Sequence, residues 1–372
     1  MRLALSGYYG CGNTGDEAVL DGIARSMTLR RPDERVDLVV LSASPDDTRR
    51  RHELAAVDRM SLLAVRRALK TSDLLISGGG SLLQDATSLR SLLYYLWIIR
   101  LAGVCRTPVM VYAQGIGPLR SRAARAITRV TLNRAGAITV RDADSAALLR
   151  AIGVTRPPLE VTADPAFVLD PVGQPAAERA LADAGIEPGE AVVGLALRPV
   201  ASGGPSASVA GRIAEALARS TGARVLFVPM QPPGDARLAE EAMAVAPAGS
   251  AMLRSALAPR ETLAVVGRLE GLVAMRLHAL IFAAMAGVPM VALAYDPKVA
   301  SLMADLGQAQ RCLDLGAARP DAVAAAVASG LADRGDVRRE LLGRAAVLRE
   351  RALVNADRAL ELAGAGQTAR HR

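Results

Sequence analysis

His278 lies two residues after Arg276 in the run Met275-Arg276-Leu277-His278-Ala279-Leu280, where a strand-like apolar stretch passes into a helix-like one. Imidazole changes charge near neutrality, so a histidine at such a junction suits giving or taking a proton. Of the other two histidines, His52 sits in Arg50-Arg51-His52-Glu53, which reads as exposed surface, and His371 lies near the chain end, so neither is expected to catalyse. The plain alternative is that His278 only fills a packed position. Lys298 argues against it: Lys70 and Lys298 are the only lysines among 45 basic residues, so the usual Arg-for-Lys preference of this chain has spared that position. Lys298 follows Ala294-Tyr295-Asp296-Pro297 after the next apolar run. On neighbouring parallel strands about 4.8 Å apart, Arg276, His278 and Lys298 converge on one small anionic group. Basic groups beside an imidazole suit a phosphorylated carboxylate.

Three glycine loops add backbone chemistry. The first, Gly7-Tyr8-Tyr9-Gly10-Cys11-Gly12-Asn13-Thr14-Gly15-Asp16-Glu17, separates a strand from an amphipathic segment over 18–29 and turns amide groups toward an anion at a helix start. Its spacing differs from the dinucleotide fingerprint, and its structural alternative is a tight turn with Asp16 as N-cap. The second, Gly78-Gly79-Gly80-Ser81-Leu82-Leu83-Gln84-Asp85, and the third, Gln114-Gly115-Ile116-Gly117-Pro118, open at the same sheet edge, where ligands of doubly wound sheets collect. Each alone is equally a hinge or turn; three at one edge predict a cleft.

Val140-Arg141-Asp142 and Leu197-Arg198-Pro199 place one further arginine after a strand in each half. For Arg141 the plain alternative is a surface pair with Asp142 or Asp144. Asp164, in Ala163-Asp164-Pro165, reads as a turn carboxylate that caps backbone groups.

The elements that must hold these residues follow from continuous apolar runs at 2–6, 36–41, 73–77, 108–112 and 137–140, and again at 191–197, 223–228, 271–275 and 289–293, with helical periodicity between them. Such alternation predicts an α/β protein built on parallel sheets. Turn residues crowd 169–190 around one short helical stretch, which sets an expected N-terminal Rossmann-like domain at 1–170, a linker at 171–190 and a C-terminal Rossmann-like domain at 191–335. A helix at 336–363 is expected to pack back, with a frayed tail at 364–372.

Composition removes several classes of function. With 51% apolar and 22% charged residues the chain packs rather than stays disordered. The net charge of +8 fits nucleic acid poorly, because only ten aromatics are present and none interleaves with a basic run. Cys11, Cys105 and Cys312 are scattered, so neither disulfides nor a zinc site is expected. No apolar run reaches membrane-spanning length, and the start of the sequence shows no signal core, so a cytoplasmic address is expected.

Taken in order, Gly7-Tyr8-Tyr9-Gly10, Gly12-Asn13-Thr14-Gly15-Asp16-Glu17-Ala18, Gly78-Gly79-Gly80-Ser81, Gln114-Gly115-Ile116-Gly117-Pro118, Val140-Arg141-Asp142, Asp164-Pro165 and Arg276-Leu277-His278 resemble the polysaccharide pyruvyl transferase family, over roughly residues 7–298. The resemblance implies two domains like those of GT-B glycosyltransferases with a cleft between them. It implies transfer of pyruvyl from phosphoenolpyruvate to a sugar as a ketal, the acceptor being an N-acetylmannosamine-type residue of a lipid-linked cell-wall precursor. His278 then matches the catalytic histidine, and Arg276 and Lys298 match donor-binding positions, with Arg141 completing the donor site and Arg198 as the second candidate. The loop residues Gly10, Gly12, Asn13, Gly15, Asp16, Glu17, Gly78, Gly79, Gly80, Ser81, Gln114 and Gly115 line the acceptor side. No metal or other cofactor is implied, and a basic surface fits contact with the inner face of a membrane. The alternatives are a nucleotide-sugar glycosyltransferase or epimerase, which would place an acidic ribose ligand late in the C-terminal half, with Asp296 and Asp305 as the candidates, and a non-catalytic sugar- or anion-binding protein.

Overall fold

Aliphatic runs flanked by turn residues become short strands buried on both faces, and the chain segregates into two such sheets. The computed structural model describes residues 1–86, 88–200, 205–254 and 257–370. Its compact units are Met1–Leu169 with Leu348–Arg372, and Asp170–Val347.

The first unit holds β1 (Arg2–Ser6), β2 (Asp37–Ser42), β3 (Ala55–Asp58), β4 (Leu74–Gly78), β5 (Val109–Gln114), β6 (Ala137–Val140) and β7 (Leu159–Val161), in the order β3-β2-β1-β4-β5-β6-β7. The second holds β8 (Val192–Ala196), β9 (Arg224–Phe227), β10 (Ala251–Met252), β11 (Gly271–Ala274), β12 (Met290–Ala294) and β13 (Cys312–Asp314), in the order β10-β9-β8-β11-β12-β13. Every ladder is parallel, and helices cover both faces of the first sheet, with separate apolar cores on either side of it. Both orders reverse beside the first strand of the unit, between β1 and β4 and between β8 and β11, and the carboxyl end of such a switch point is where a ligand finds an open crevice.

The nine apolar runs all become strands. β3, β7, β10 and β13 carry no such run, and they are the outer strands of the two sheets. An outer strand pairs on one side only and is here two to four residues long, so it needs no continuous aliphatic stretch.

Two expectations about the connections change. Residues 171–190 are not a separate linker but fall within the second unit, and the short helical stretch expected there is the helix Gln174–Asp183. The last helix runs from Arg334 to Arg370, so the segment from 364 to 370 is helical rather than a tail, and His371 and Arg372 lie outside the described residues. That helix starts in the second unit, where Gln308 donates to Glu340 at 2.8 Å, and ends in the first, where buried Asn355 accepts from the Thr162 hydroxyl at 2.7 Å and Ala356, Ala359 and Ala363 join the apolar core.

Candidate functional site

In the second unit Ala196 of β8 and Ala292 of β12 are both in register with Ala274 of β11, so the loops after these three strands leave the sheet at one level. Arg198 and Arg276 each follow two residues beyond that level, on either side of the switch point. Arg276 is the N-cap residue of the helix Leu277–Ala286, which puts His278 in its first turn. Asp296 caps the helix Pro297–Asp305 by accepting from the Lys298 amide at 3.1 Å, which puts Lys298 in that first turn. The condition on which convergence depends, adjacency of β11 and β12, is met.

Tyr295 organises the cations on either side of it. Arg198 Nη1 donates to the Tyr295 hydroxyl at 2.9 Å with its guanidinium carbon 5.0 Å from the ring centre, and Lys298 Nζ lies 5.7 Å from that centre. A tyrosine face attracts cations through its quadrupole, and its hydroxyl fixes the direction of the guanidinium. Lys298 is also 3.3 Å from Asp296, so Asp296 serves as a cap and a lysine partner.

Arg276 is held by a residue the sequence did not single out. Its Nε donates to Asp235 Oδ2 at 2.8 Å, a second guanidinium nitrogen bonds Asp235 Oδ1, and Nη1 donates to Gln231 at 3.0 Å. Asp235 is buried and also accepts from the amides of Met230 and Gln231, which fixes the turn after β9. The forked pair is therefore anchored to the backbone, and the charge of Arg276 is largely compensated by its partner. Arg198, by contrast, makes no ion pair among the described residues. The His278 ring is partly buried, with Nε2 shielded from solvent.

The glycine loops of the first unit meet at the switch point of its own sheet. Tyr9 is fully buried and donates to the Gly78 carbonyl at 3.0 Å, tying the first loop to the second. A Cβ on Gly80, whose φ is +51°, would stand 2.5 Å from Asp16 Oδ1, so only glycine lets the loop and that carboxylate approach. The N-cap of the following helix is Asn13, which accepts from Gly15 at 3.0 Å; Asp16 is not the cap. Glu17 instead accepts from the Gly10 amide at 2.8 Å. Gln114 is fully buried and donates to the Ser77 carbonyl at 2.8 Å.

His52 is not a surface residue. Its side chain is 1% exposed, with Nδ1 2.5 Å from Asp21 and Nε2 3.0 Å from Glu17. Both ring nitrogens face carboxylates, which only accept, so the ring holds both protons. Burial alone pulls its pKa down, but hydrogen bonds and charge from Asp21 and Glu17 outweigh that and raise it to about 9. Glu17 and Asp21 stand four residues apart and so share one helix face, but nothing in the sequence pairs that face with His52.

Arg141 is likewise buried rather than at the surface. It bonds Asp164 at 2.7 Å and Ser81 at 3.1 Å, with Asp142 farther off at 3.8 Å. A Cβ on Gly115 would fall 2.9 Å from both Arg141 Nη2 and Ser81 Oγ. Asp164, besides holding Arg141, caps the turn by accepting from Ala166 at 3.1 Å, the backbone role read for it. Among the described residues no group of three or more His, Cys, Asp or Glu side chains is placed to hold a metal ion.

Two parallel α/β sheets, each with its own switch point, give the chain a GT-B-like fold. The chain belongs to the polysaccharide pyruvyl transferase family, whose model matches residues 13–297, which makes it a transferase with a pyruvyl-transfer role in polysaccharide biosynthesis. No curated protein sequence matches it. Among solved structures it is similar to Anabaena HepE in complex with UDP-glucose, at 13% identity and a TM-score of 0.64 over 98% of this chain and 100% of that one. A second is a putative UDP-N-acetylglucosamine 2-epimerase from Listeria monocytogenes, at 11% identity and 0.62 over 92% and 90%. A third is the E. coli ADP-heptose lipopolysaccharide heptosyltransferase II, at 14% identity and 0.52 over 90% and 100%. At these identities the likeness carries the fold alone.

Proposed function

We propose that this chain moves the pyruvyl group of phosphoenolpyruvate onto two hydroxyls of one sugar, forming a ketal and releasing phosphate, with His278 handling the proton. The observation that carries the reading is the grouping, on one sheet edge, of an imidazole with Arg198, Arg276 and Lys298, each in the turn after a different one of three adjacent strands. Phosphoenolpyruvate presents a phosphate and a carboxylate on one small carbon skeleton, and fixed cations stabilise both without rearranging during the reaction. First-turn amides of the helices that carry His278 and Lys298 add positive potential at the same edge.

The chemistry then follows in balanced steps. His278 gives a proton to the methylene carbon, and the neighbouring C2 gains cationic character. A sugar hydroxyl adds to C2 and returns its proton to the imidazole. The C2–oxygen bond to phosphorus breaks, the second hydroxyl closes on C2, and its proton leaves with the phosphate. Arg198 rather than Arg141 is assigned to the donor, because its charge is uncompensated and it shares Tyr295 with Lys298, whereas the Arg141 guanidinium is engaged by Asp164 and Ser81. No cofactor is needed beyond phosphoenolpyruvate as co-substrate. The acceptor is read as an N-acetylmannosamine-type residue of a lipid-linked cell-wall precursor, met on the cytoplasmic side of a membrane.

Incubation with phosphoenolpyruvate and lipid-linked or synthetic acceptors, following free phosphate, tests the assignment. Acceptor-dependent phosphate release is expected; acceptor-dependent release of UDP from a UDP-sugar, with phosphoenolpyruvate untouched, would replace it with glycosyl transfer.

A further inference from the structure

Three helices of the first unit, Leu62–Lys70, Leu89–Val104 and Arg122–Leu132, send buried residues into the same apolar core on one side of the seven-stranded sheet, and the middle helix touches both others. Over 9, 16 and 11 residues they contain no Asp or Glu, against eight Lys or Arg. Eight is also the net charge of the whole chain, so the remainder is formally neutral and the excess resides on this face. Among the described residues none of the eight forms an ion pair.

The same face exposes large apolar side chains. Leu89, Leu93, Trp97 and Val104 recur along the middle helix at the spacing of one stripe, with Arg100 set among them. Trp97, the only tryptophan in the chain, is 42% exposed and Val104 78%. On the preceding helix Leu62 and Leu63 stand exposed beside Arg66, Arg67 and Lys70. Exposed leucine and tryptophan surrounded by unpaired cations is the composition of a helix that lies in a bilayer interface, apolar side down.

We propose that this face docks on an anionic lipid bilayer, with the helix Leu89–Val104 along the headgroup boundary and the flanking cations on lipid phosphates. Charge selects the occupant. A second copy meeting the same patch across a two-fold axis would set eight uncompensated cations against eight, whereas an anionic membrane supplies both the opposite charge and apolar depth. The proposal fits a lipid-linked acceptor but does not rest on pyruvyl transfer, since docking is measurable without substrate.

Full-length protein is mixed at low salt with vesicles of phosphatidylcholine alone, or of equal parts phosphatidylcholine and phosphatidylglycerol, and followed by co-sedimentation and Trp97 emission. Sedimentation with the anionic vesicles only, and a blue shift of the emission, are expected. The triple variant Arg66→Gln, Arg67→Gln, Lys70→Gln loses on the order of 100-fold in affinity, and Leu89→Ser with Leu93→Ser abolishes the blue shift, both at unchanged circular dichroism. Phosphate release from phosphoenolpyruvate with a soluble acceptor stays at the wild-type level in both variants, which separates failure of docking from failure of the enzymatic assignment. The proposal is overturned if the wild type stays in the supernatant, if wild type and variants bind equally, or if Leu89→Ser with Leu93→Ser instead dissolves a dimer of a protein that ignores vesicles.

Discussion

Arg198 donates to the hydroxyl of Tyr295 at 2.9 Å while its guanidinium carbon lies 5.0 Å from the ring centre, so one aromatic side chain both orients the arginine and carries its charge. A guanidinium fixed in this way meets an incoming anion without first losing rotamer freedom. Arg198→Ala is expected to raise the KM for phosphoenolpyruvate by roughly 10- to 100-fold, the worth of one or two hydrogen bonds to a charged group. Tyr295→Phe keeps the ring and removes the hydroxyl, so its effect should be smaller and of the same kind. Steady-state kinetics on the two variants check the order. Arg141→Ala should instead lower the unfolding temperature, since it strands the buried Asp164.

Arg276 and Asp235 form a forked pair of which Asp235 is 1% and Arg276 11% exposed. Removing one partner of such a pair leaves the other charge unsatisfied. Asp235→Asn is expected to cost about 3 kcal/mol of stability, read by denaturant unfolding, and to cut donor affinity because the arginine loses its anchor. Stability unchanged within error would show that Arg276 is positioned by other contacts.

The imidazolium of His52 predicts a dependence of stability on pH. An unfolded histidine titrates near 6.5, and here the folded value is about 9. Folding thus raises the pKa, so the stabilisation is complete below about pH 6.5 and is lost as the pH rises through about 9, by an amount on the order of 3 kcal/mol. Unfolding free energies measured across that window should fall in the wild type and stay level in His52→Gln. The Gly10 loop, held by Glu17, should exchange its amide protons faster at the alkaline end.

The inner strands were legible because a parallel strand covered on both faces must be aliphatic throughout, as in Val109–Gln114. The outer strand Leu159–Val161 is half-buried along its length and had no such mark. The site was legible where chemistry lies in neighbouring residues, as with Arg276 and His278. It was not legible where a partner arrives from a distant turn: Asp235 is 41 residues from Arg276, and His52 is 35 from Glu17. Such pairs are set by which loops the sheet order brings side by side, and periodicity carries no record of that.

In the proposed reaction His278 supplies the proton that converts the enol methylene to a methyl group. Running the reaction in deuterated water with phosphoenolpyruvate and a competent acceptor, and weighing the ketal product, tests it most directly. One deuterium is expected in the ketal methyl group of the wild-type product, and a rate on the order of 100-fold or more lower for His278→Ala, with donor binding retained. A product without deuterium in that methyl group, or a His278→Ala variant that turns over at the wild-type rate, would contradict it.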